Sequence, residues 1–109
     1  MTTIVIRRTE NNTYTGFTCM GHAGYADEEP DIVCAAVSVL VINTINAIEK
    51  LAGQTPQVIQ NEETGFIKCD FNDSLNEKSI LLMDAMVLGL KDISKAYGRK
   101  YLQVKFEEV

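Results

Sequence analysis

The feature that most constrains the fold is an uncharged run of seventeen residues, Ile32 to Ile48, in a chain of 109. It is short for a membrane span, which needs about 20 apolar residues, and it contains the polar side chains of Asn43, Thr44 and Asn46. Apolar residues occupy nearly the whole helical circumference, as in a helix enclosed by other elements. The run therefore predicts a buried core helix, no membrane segment and a single domain spanning residues 1–109.

Residues on either side of this run predict where the helix begins and ends. Asp31 follows Pro30 and is a favoured N-cap residue, because its side chain can accept a hydrogen bond from an unused backbone N–H of the first turn. The helix would then begin at Ile32 and end before Gly53. Cys34 would be its third residue, where unpaired amides and the positive end of the helix dipole favour an anion.

The remaining segments predict strands and a second helix. Residues 2–8 and 14–20 flank the turn-forming "ENNT", and residues 56–60 and 65–71 flank "NEETG", so each pair predicts a β-hairpin. Ser74 and Glu77 form a capping box that predicts a helix over about 75–97, ended by Gly98. A strand with alternating apolar residues closes the chain. The order ββαββαβ predicts an α+β two-layer sandwich, with two helices on one face of a sheet of about five strands.

Charge and cysteine content narrow the function classes. The net charge is −5 and the ten basic residues are scattered along the sequence, which predicts no direct nucleic-acid binding and favours a basic partner. The first residues, "MTTIVIRRTE", lack a cleavage-site pattern, so no signal peptide is predicted. We therefore expect a cytoplasmic location and reduced thiols.

Two residues suggest nucleophilic catalysis. His22 is the only histidine, and it lies twelve positions before Cys34. Its imidazole can take the thiol proton and hold the thiolate as an ion pair, the usual activation of a catalytic cysteine. Asp31 is a candidate to orient the imidazole, as is the loop residue Asp27. Ser38 follows Cys34 by one helical turn and can donate a hydrogen bond into the site, while Gly21 fits a backbone position with positive φ.

Two other interpretations of these residues stay open. In the first, the cysteines fill the core, as the alternation of Cys69 with Ile67 and Phe71 suggests, and Cys19 on the second strand fits the same role. Alternatively Cys19, His22, Cys34 and a loop acid could bind zinc. Structural zinc sites usually contain two closely spaced ligand pairs, and only Cys19-x-x-His22 is present, which favours the absence of a metal.

The stretch "GHAGYADEEPDIVCAAVS" resembles the signature of the ribosomal-processing cysteine proteases, the Prp family. Three parts carry the resemblance: Gly21-His22-Ala23, residues 31–35, and Ser38. The chain length and the order of elements are also similar, so the resemblance covers nearly the whole domain. Many family members carry a glycine where this chain has Glu29, so Gly21 and Gly24 must supply the flexibility of the loop.

The resemblance implies a cysteine endopeptidase with a His22–Cys34 dyad and no metal or organic cofactor. Its implied substrate is a large-subunit ribosomal protein, the twenty-seventh of its series, whose short N-terminal extension is removed after aromatic residues. It also implies a homodimer. Two alternatives remain from the residues themselves: a non-enzymatic binding module in ribosome assembly, and a small zinc-binding protein.

Overall fold

The computed structural model describes the chain except for residues 22–27, and the side chains of residues 28–31 also lie outside the described part. Seven elements follow one another in the predicted order: β1 (Thr2–Arg8), β2 (Tyr14–Met20), α1 (Glu28–Leu51), β3 (Gln57–Asn61), β4 (Phe66–Asp70), α2 (Glu77–Tyr97) and β5 (Leu102–Glu108). The predicted order ββαββαβ is confirmed.

The five strands form one mixed sheet in the order β3-β4-β2-β1-β5. Both predicted hairpins are antiparallel, β2 also pairs antiparallel with β4, and β5 pairs parallel with β1. Cys19 lies opposite Ile4 on one neighbour and opposite Ile67 on the other. Since side chains alternate between the two faces of a strand, this register collects the apolar residues on one face.

Both helices pack against that apolar face, which makes the molecule a two-layer α+β sandwich as predicted. At the helix–helix contact, Gly89 of α2 lies so close to Leu40 of α1 that a Cβ atom would come within 2.8 Å of Leu40 Cδ2. The core combines residues from both layers, and its fully enclosed members include Ile4, Ile6, Phe17, Val33, Val37, Val41, Ile48, Cys69, Met83, Met86, Leu90 and Leu102.

Helix α1 begins at Glu28, so the prediction that Asp31 caps it was wrong. Pro30 is the third residue of the helix and Asp31 is the fourth. Proline is tolerated there because the first four N–H groups of a helix have no intrahelical partner to lose. Cys34 is consequently the seventh residue, beyond the first turn in which unpaired amides and the helix dipole act on a side chain.

Helix α1 is enclosed on one side only, which corrects the prediction of a helix buried all round. Val33, Val37 and Val41 are buried in the core, whereas Val39 is 70% exposed and Leu51 is 70% exposed. The segment Ile32–Leu51, with a mean hydropathy of 1.9, is long and apolar enough to cross a membrane by length and composition alone. A core helix passes the same test, and the buried valines place this one against the sheet and α2.

Helix α2 begins later than predicted because Asn76, not Ser74, is its N-cap. The Asn76 side chain accepts a hydrogen bond from the backbone N–H of Ser79 at 2.9 Å. Asn76 also donates its backbone N–H to the side chain of Gln54 and its side-chain amide to the carbonyl of Ala52, both at 2.9 Å. These contacts with the preceding loop fix the cap. Gly98 ends the helix as predicted, at φ 108°.

Candidate active site

Cys34 lies in a groove between α1 and the β3–β4 hairpin. Its side chain is half-buried, and Ser38 and Ile42 follow it on the same side of α1 at four-residue spacing. The groove has a volume of about 260 Å³. Its other wall consists of Gln60, Asn61, Glu62, Gly65, Phe66 and Ile67. The structure thus brings Cys34 and Ser38 together at one surface, as the sequence suggested.

Hydrogen bonds within the β3–β4 turn stabilise the side of the groove that the hairpin forms. The Asn61 side-chain oxygen accepts hydrogen bonds from the backbone N–H groups of Glu63, at 3.0 Å, and Thr64, at 3.4 Å. Such a local turn leaves the amide nitrogen of Asn61 available as a donor. Gln60 contributes a second side-chain amide to the same wall. The groove therefore offers polar donors beside the apolar surface of Ile42, Phe66 and Ile67.

A second cavity continues along α1 from the first. It has a volume of about 340 Å³ and is lined by Ser38, Val39, Ile42, Asn43 and Asn46. Ser38 and Ile42 line both cavities. The outer surface of α1 therefore presents a continuous track, from the Cys34 thiol toward the middle of the helix, in which apolar side chains lie beside amides. Such a mixture suits an extended peptide, whose backbone needs hydrogen-bond partners and whose side chains need apolar contact.

The other two cysteines lie in the core, as predicted. Burial raises the pKa of Cys19 to about 12, with a smaller contribution from electrostatic interaction with Cys34. Burial also raises the pKa of Cys69 to about 12, which the charge of Asp70 increases and that of Arg7 decreases. Both thiols are therefore neutral and poorly nucleophilic near pH 7. Among the three cysteines, Cys34 is the one that lines a groove.

Gly21 closes β2 immediately before His22. It has φ 90°, which confirms the predicted positive φ, and a Cβ atom at this position would clash with the backbone carbonyl of Met1. Glycine is required there on both counts. His22, Gly24 and Asp27 lie outside the described residues. Asp31 lies in α1, three residues before Cys34, and its side chain is also outside them.

The hairpin side of the groove was missed by the sequence analysis. Ile42, eight residues after Cys34, could have been found from helical spacing. Nothing local connects Gln60, Asn61 or Phe66 to Cys34, because their approach depends on the order of strands in the sheet.

The structure does not test the zinc hypothesis, since His22 is one of its ligands. Within residues 1–21 and the described side chains from residue 32 onward, no group of three or more His, Cys, Asp or Glu residues could hold a metal ion.

A free thiol at the wall of an open groove is the arrangement that a cysteine-dependent enzyme requires. The family model of cysteine protease Prp matches residues 1–103. A Bacillus subtilis protein named ribosomal processing cysteine protease Prp is 33% identical over 96 residues, covering 84% of this chain and 86% of that protein. A Staphylococcus aureus protein of the same name is 27% identical over 98 residues, covering 90% and 92%. The chain belongs to the Prp family and is a cysteine protease.

Solved structures share the whole fold. A Streptococcus mutans protein has a TM-score of 0.89 at 30% identity, with 100% of this chain and 96% of that protein covered. The essential ribosomal processing protease Prp from Staphylococcus aureus, solved in complex with a substrate peptide, has a TM-score of 0.90 at 23% identity, with 98% and 100% covered. The predicted family and the predicted α+β fold are both confirmed.

Proposed function

We propose that this cysteine protease removes the short N-terminal extension of a large-subunit ribosomal protein, the twenty-seventh of its series, by cleaving after aromatic residues. The observation that carries the proposal is the position of Cys34 in the groove, combined with membership of a family whose relatives are named for ribosomal processing. The net charge of −5 suits a basic ribosomal substrate. Since protein synthesis supplies such a substrate inside the cell, we place the enzyme in the cytoplasm.

The proposed chemistry uses Cys34 and His22 as a dyad. The Cys34 thiolate attacks the carbonyl carbon of the scissile bond, and the His22 imidazolium gives its proton to the leaving amine, which releases the C-terminal product. The N-terminal fragment stays attached to Cys34 as a thioester. His22 then takes a proton from water, the resulting hydroxide attacks the thioester, and the carboxylate product leaves as the thiolate is restored. No metal or organic cofactor takes part.

The position of Cys34 in α1 makes His22 more important in this scheme. As the seventh helical residue, Cys34 uses its own backbone N–H within the helix, and the dipole effect of the first turn has faded. The thiolate then depends on the imidazolium for its stability. The oxyanion of the tetrahedral intermediate needs donors as well, and the side-chain amides of Gln60 and Asn61 are the candidates in the described wall of the groove.

Aromatic side chains of the substrate would bind in the apolar part of the groove. The chain contains no tryptophan, so aliphatic residues, phenylalanine or tyrosine would supply the contacts. Ile42, Phe66 and Ile67 do so beside Cys34. The cavity that continues along α1 would hold the adjoining part of the extension, with Asn43 and Asn46 available to bond its backbone.

We also propose that the enzyme is a homodimer. The outer face of the helical layer carries large apolar side chains, with Leu81 69% exposed and Leu88 63% exposed on the same side of α2. A second copy would remove them from water. Sedimentation should give twice the chain mass for the wild type and for Leu51→Asp, an exposed position at the end of α1. The Leu81→Asp/Leu88→Asp variant should be monomeric. A wild-type monomer would contradict the proposal.

The decisive test of the activity is to mix the protein with the full-length ribosomal precursor and follow the mass of the substrate. The wild type and Cys69→Ala should shorten it at one bond after its aromatic residues, whereas Cys34→Ala and His22→Ala should not. If no variant shortens the precursor but the wild type binds it, the protein is a binding module. If elemental analysis finds one zinc per chain that is lost on replacing Cys19, the zinc hypothesis replaces the dyad.

A further inference from the structure

The two edges of the sheet differ in composition. In the described part of the chain, β3 forms one edge and β5 forms the other. β5 carries the charged side chains of Lys105, Glu107 and Glu108, whereas β3, with the sequence QVIQN, carries no charge and no proline. Charged residues, prolines and bulges are the usual devices that keep a strand edge from pairing with another chain. β3 also pairs with β4 over all five residues without a register shift, so its edge has none of these devices.

The backbone of β3 is accessible along its whole length. All five residues are exposed, and within the described residues the strand pairs with β4 alone. Every second residue of an edge strand directs its N–H and C=O groups away from the sheet. The outer edge of β3 therefore offers donors and acceptors to one further strand over a length of about 17 Å.

Apolar side chains lie on both faces of this edge. Val58 is opposite the buried Cys69 of β4, so it lies on the face that carries the helices, and it is 40% exposed. Ile59 is opposite Lys68 and lies on the open face of the sheet, where it is 61% exposed. An added strand with alternating side chains would find an apolar neighbour on each face.

One end of β3 borders the Cys34 thiol. Gln60 and Asn61, the last two residues of the strand, line the groove together with Cys34. The strand begins at Gln57, about 13 Å back along its length from Asn61. A peptide paired with β3 would therefore have one end beside the thiol and the other end well away from it.

We infer that the substrate binds as a sixth strand on the free edge of β3, parallel to β3 and with its aromatic residues at Cys34. This inference rests on the proposed function, in which the extension lies on the N-terminal side of the cleaved bond. The C-terminal end of the extension must reach Cys34 beside Asn61, so its earlier residues lie toward Gln57. That is the chain direction of β3 itself.

Strand addition gives main-chain hydrogen bonds and side-chain contacts separate tasks. Peptides that extend a sheet gain affinity from backbone hydrogen bonds, and pockets for alternate side chains supply specificity. Pairing with β3 would hold an extended segment of up to five residues. The apolar part of the Cys34 groove would then select the aromatic residues at its end.

Amide hydrogen exchange measured by NMR tests the pairing. Cys34→Ala is saturated with a synthetic peptide that spans the cleaved bond of the ribosomal precursor, so that the bound peptide stays intact. Alternate amides within Gln57–Asn61 should exchange about fivefold more slowly than in the free protein, or slower still, because they gain acceptors in the peptide. The amides of β5, at the other edge, should keep their rates. A nitroxide on the peptide N-terminus should broaden the signals of Gln57 more than those of Asn61.

Substitutions on the open face of the sheet test the same contact in catalysis. A peptide that lay only along α1 would not reach Ile59. Ile59→Thr keeps a β-branched side chain but removes an apolar contact, so kcat/KM for the peptide should fall about two- to fivefold, through KM. Val5→Thr is the matched change on the same face of β1, at a half-buried position, and should leave kcat/KM unchanged.

The outcomes separate this inference from the proposed function. The inference is overturned if the wild type cleaves the peptide but β3 gains no protection, if β5 gains as much, if the nitroxide acts mainly on Asn61, or if Ile59→Thr and Val5→Thr have equal effects. Protection of β3 in the free protein that disappears on dilution would overturn it as well, because a second copy would then cover the edge. A peptide that the wild type does not cleave contradicts the proposed substrate, and this inference with it.

Discussion

Cys34 and Ser38 lie one turn apart on α1 and line the same groove against the β3–β4 hairpin. Ser38 also lines the next cavity along the helix, so one surface of α1 carries both the thiol and the floor of the peptide track. The opposite side of the same helix packs in the core through Val33, Val37 and Val41. Packing of the core therefore sets the position of the Cys34 thiol relative to the groove.

Filling this track should block the substrate without touching the thiol. Ile42 lines both cavities and is 36% exposed, so Ile42→Trp adds volume where the peptide would lie. We expect kcat/KM for the precursor to fall at least about tenfold, equal to roughly 1.4 kcal/mol. Iodoacetamide should still modify Cys34 at a rate within about twofold of that of the wild type. Ile80→Trp, on α2 at 40% exposure, is the matched control and should cleave normally. Equal losses in both variants would argue against the track.

Gly21 should be the glycine least tolerant of a side chain near the site. Gly21→Ala has to adopt a positive φ and also displace the Met1 carbonyl, whereas Gly53→Ala, at φ 72°, meets no atom within 4 Å. A strained backbone position costs about 1–3 kcal/mol. We expect Gly21→Ala to lower the free energy of unfolding, measured in urea, by an amount at the upper end of that range. For Gly53→Ala we expect a decrease at the lower end. Equal effects would show that the Met1 contact relaxes without cost.

Because the thiols of Cys19 and Cys69 are buried, we expect the free energy of unfolding to decrease at alkaline pH. The pKa of Cys19 and of Cys69 is about 12 in the folded protein, compared with about 8.5 in an unfolded chain. Between these values the unfolded state releases protons that the folded state keeps, so the free energy of unfolding decreases as pH rises. Urea unfolding at about pH 7.5 and pH 10 should therefore show a smaller loss for Cys19→Ala/Cys69→Ala than for the wild type. Tyr14, whose pKa is raised by burial and by the Asp84 hydrogen bond, contributes equally to both curves. Parallel curves would contradict the burial effect.

The hairpins and helices could be predicted because their signals are local. Ile4 and Ile6 alternate on β1, Ile67 and Cys69 alternate on β4, and all four are buried. The helix starts were less certain because several residues in each loop can act as caps. Asn76 is selected over Ser74 by its contacts with Gln54 and Ala52, which lie more than twenty residues earlier in the chain. Such tertiary contacts leave no mark on the local sequence.

The residues of the site, too, could be predicted from the sequence only where their signals are local. Cys34, Ser38 and Gly21 could be identified from spacing and backbone requirements, and the structure places Cys34 and Ser38 in one groove. The role of the helix start was misjudged, because a proline in the first turn and a proline before the helix give the same sequence pattern. Phe66 and Gln60 could not be found, since they reach Cys34 only through the pairing of β4 with β2 and of β3 with β4.

The central claim is that Cys34 forms the covalent intermediate, and rapid-quench mass spectrometry of the enzyme with a substrate peptide tests it most directly. Acid quenching within the first turnover should reveal enzyme whose mass has increased by that of the N-terminal fragment minus water, and digestion should locate the thioester on Cys34. His22→Ala should form this species far more slowly, because the thiolate has lost its counterion and the leaving amine its proton donor. An adduct on Cys19 or Cys69, or cleavage that continues in Cys34→Ala, would contradict the account.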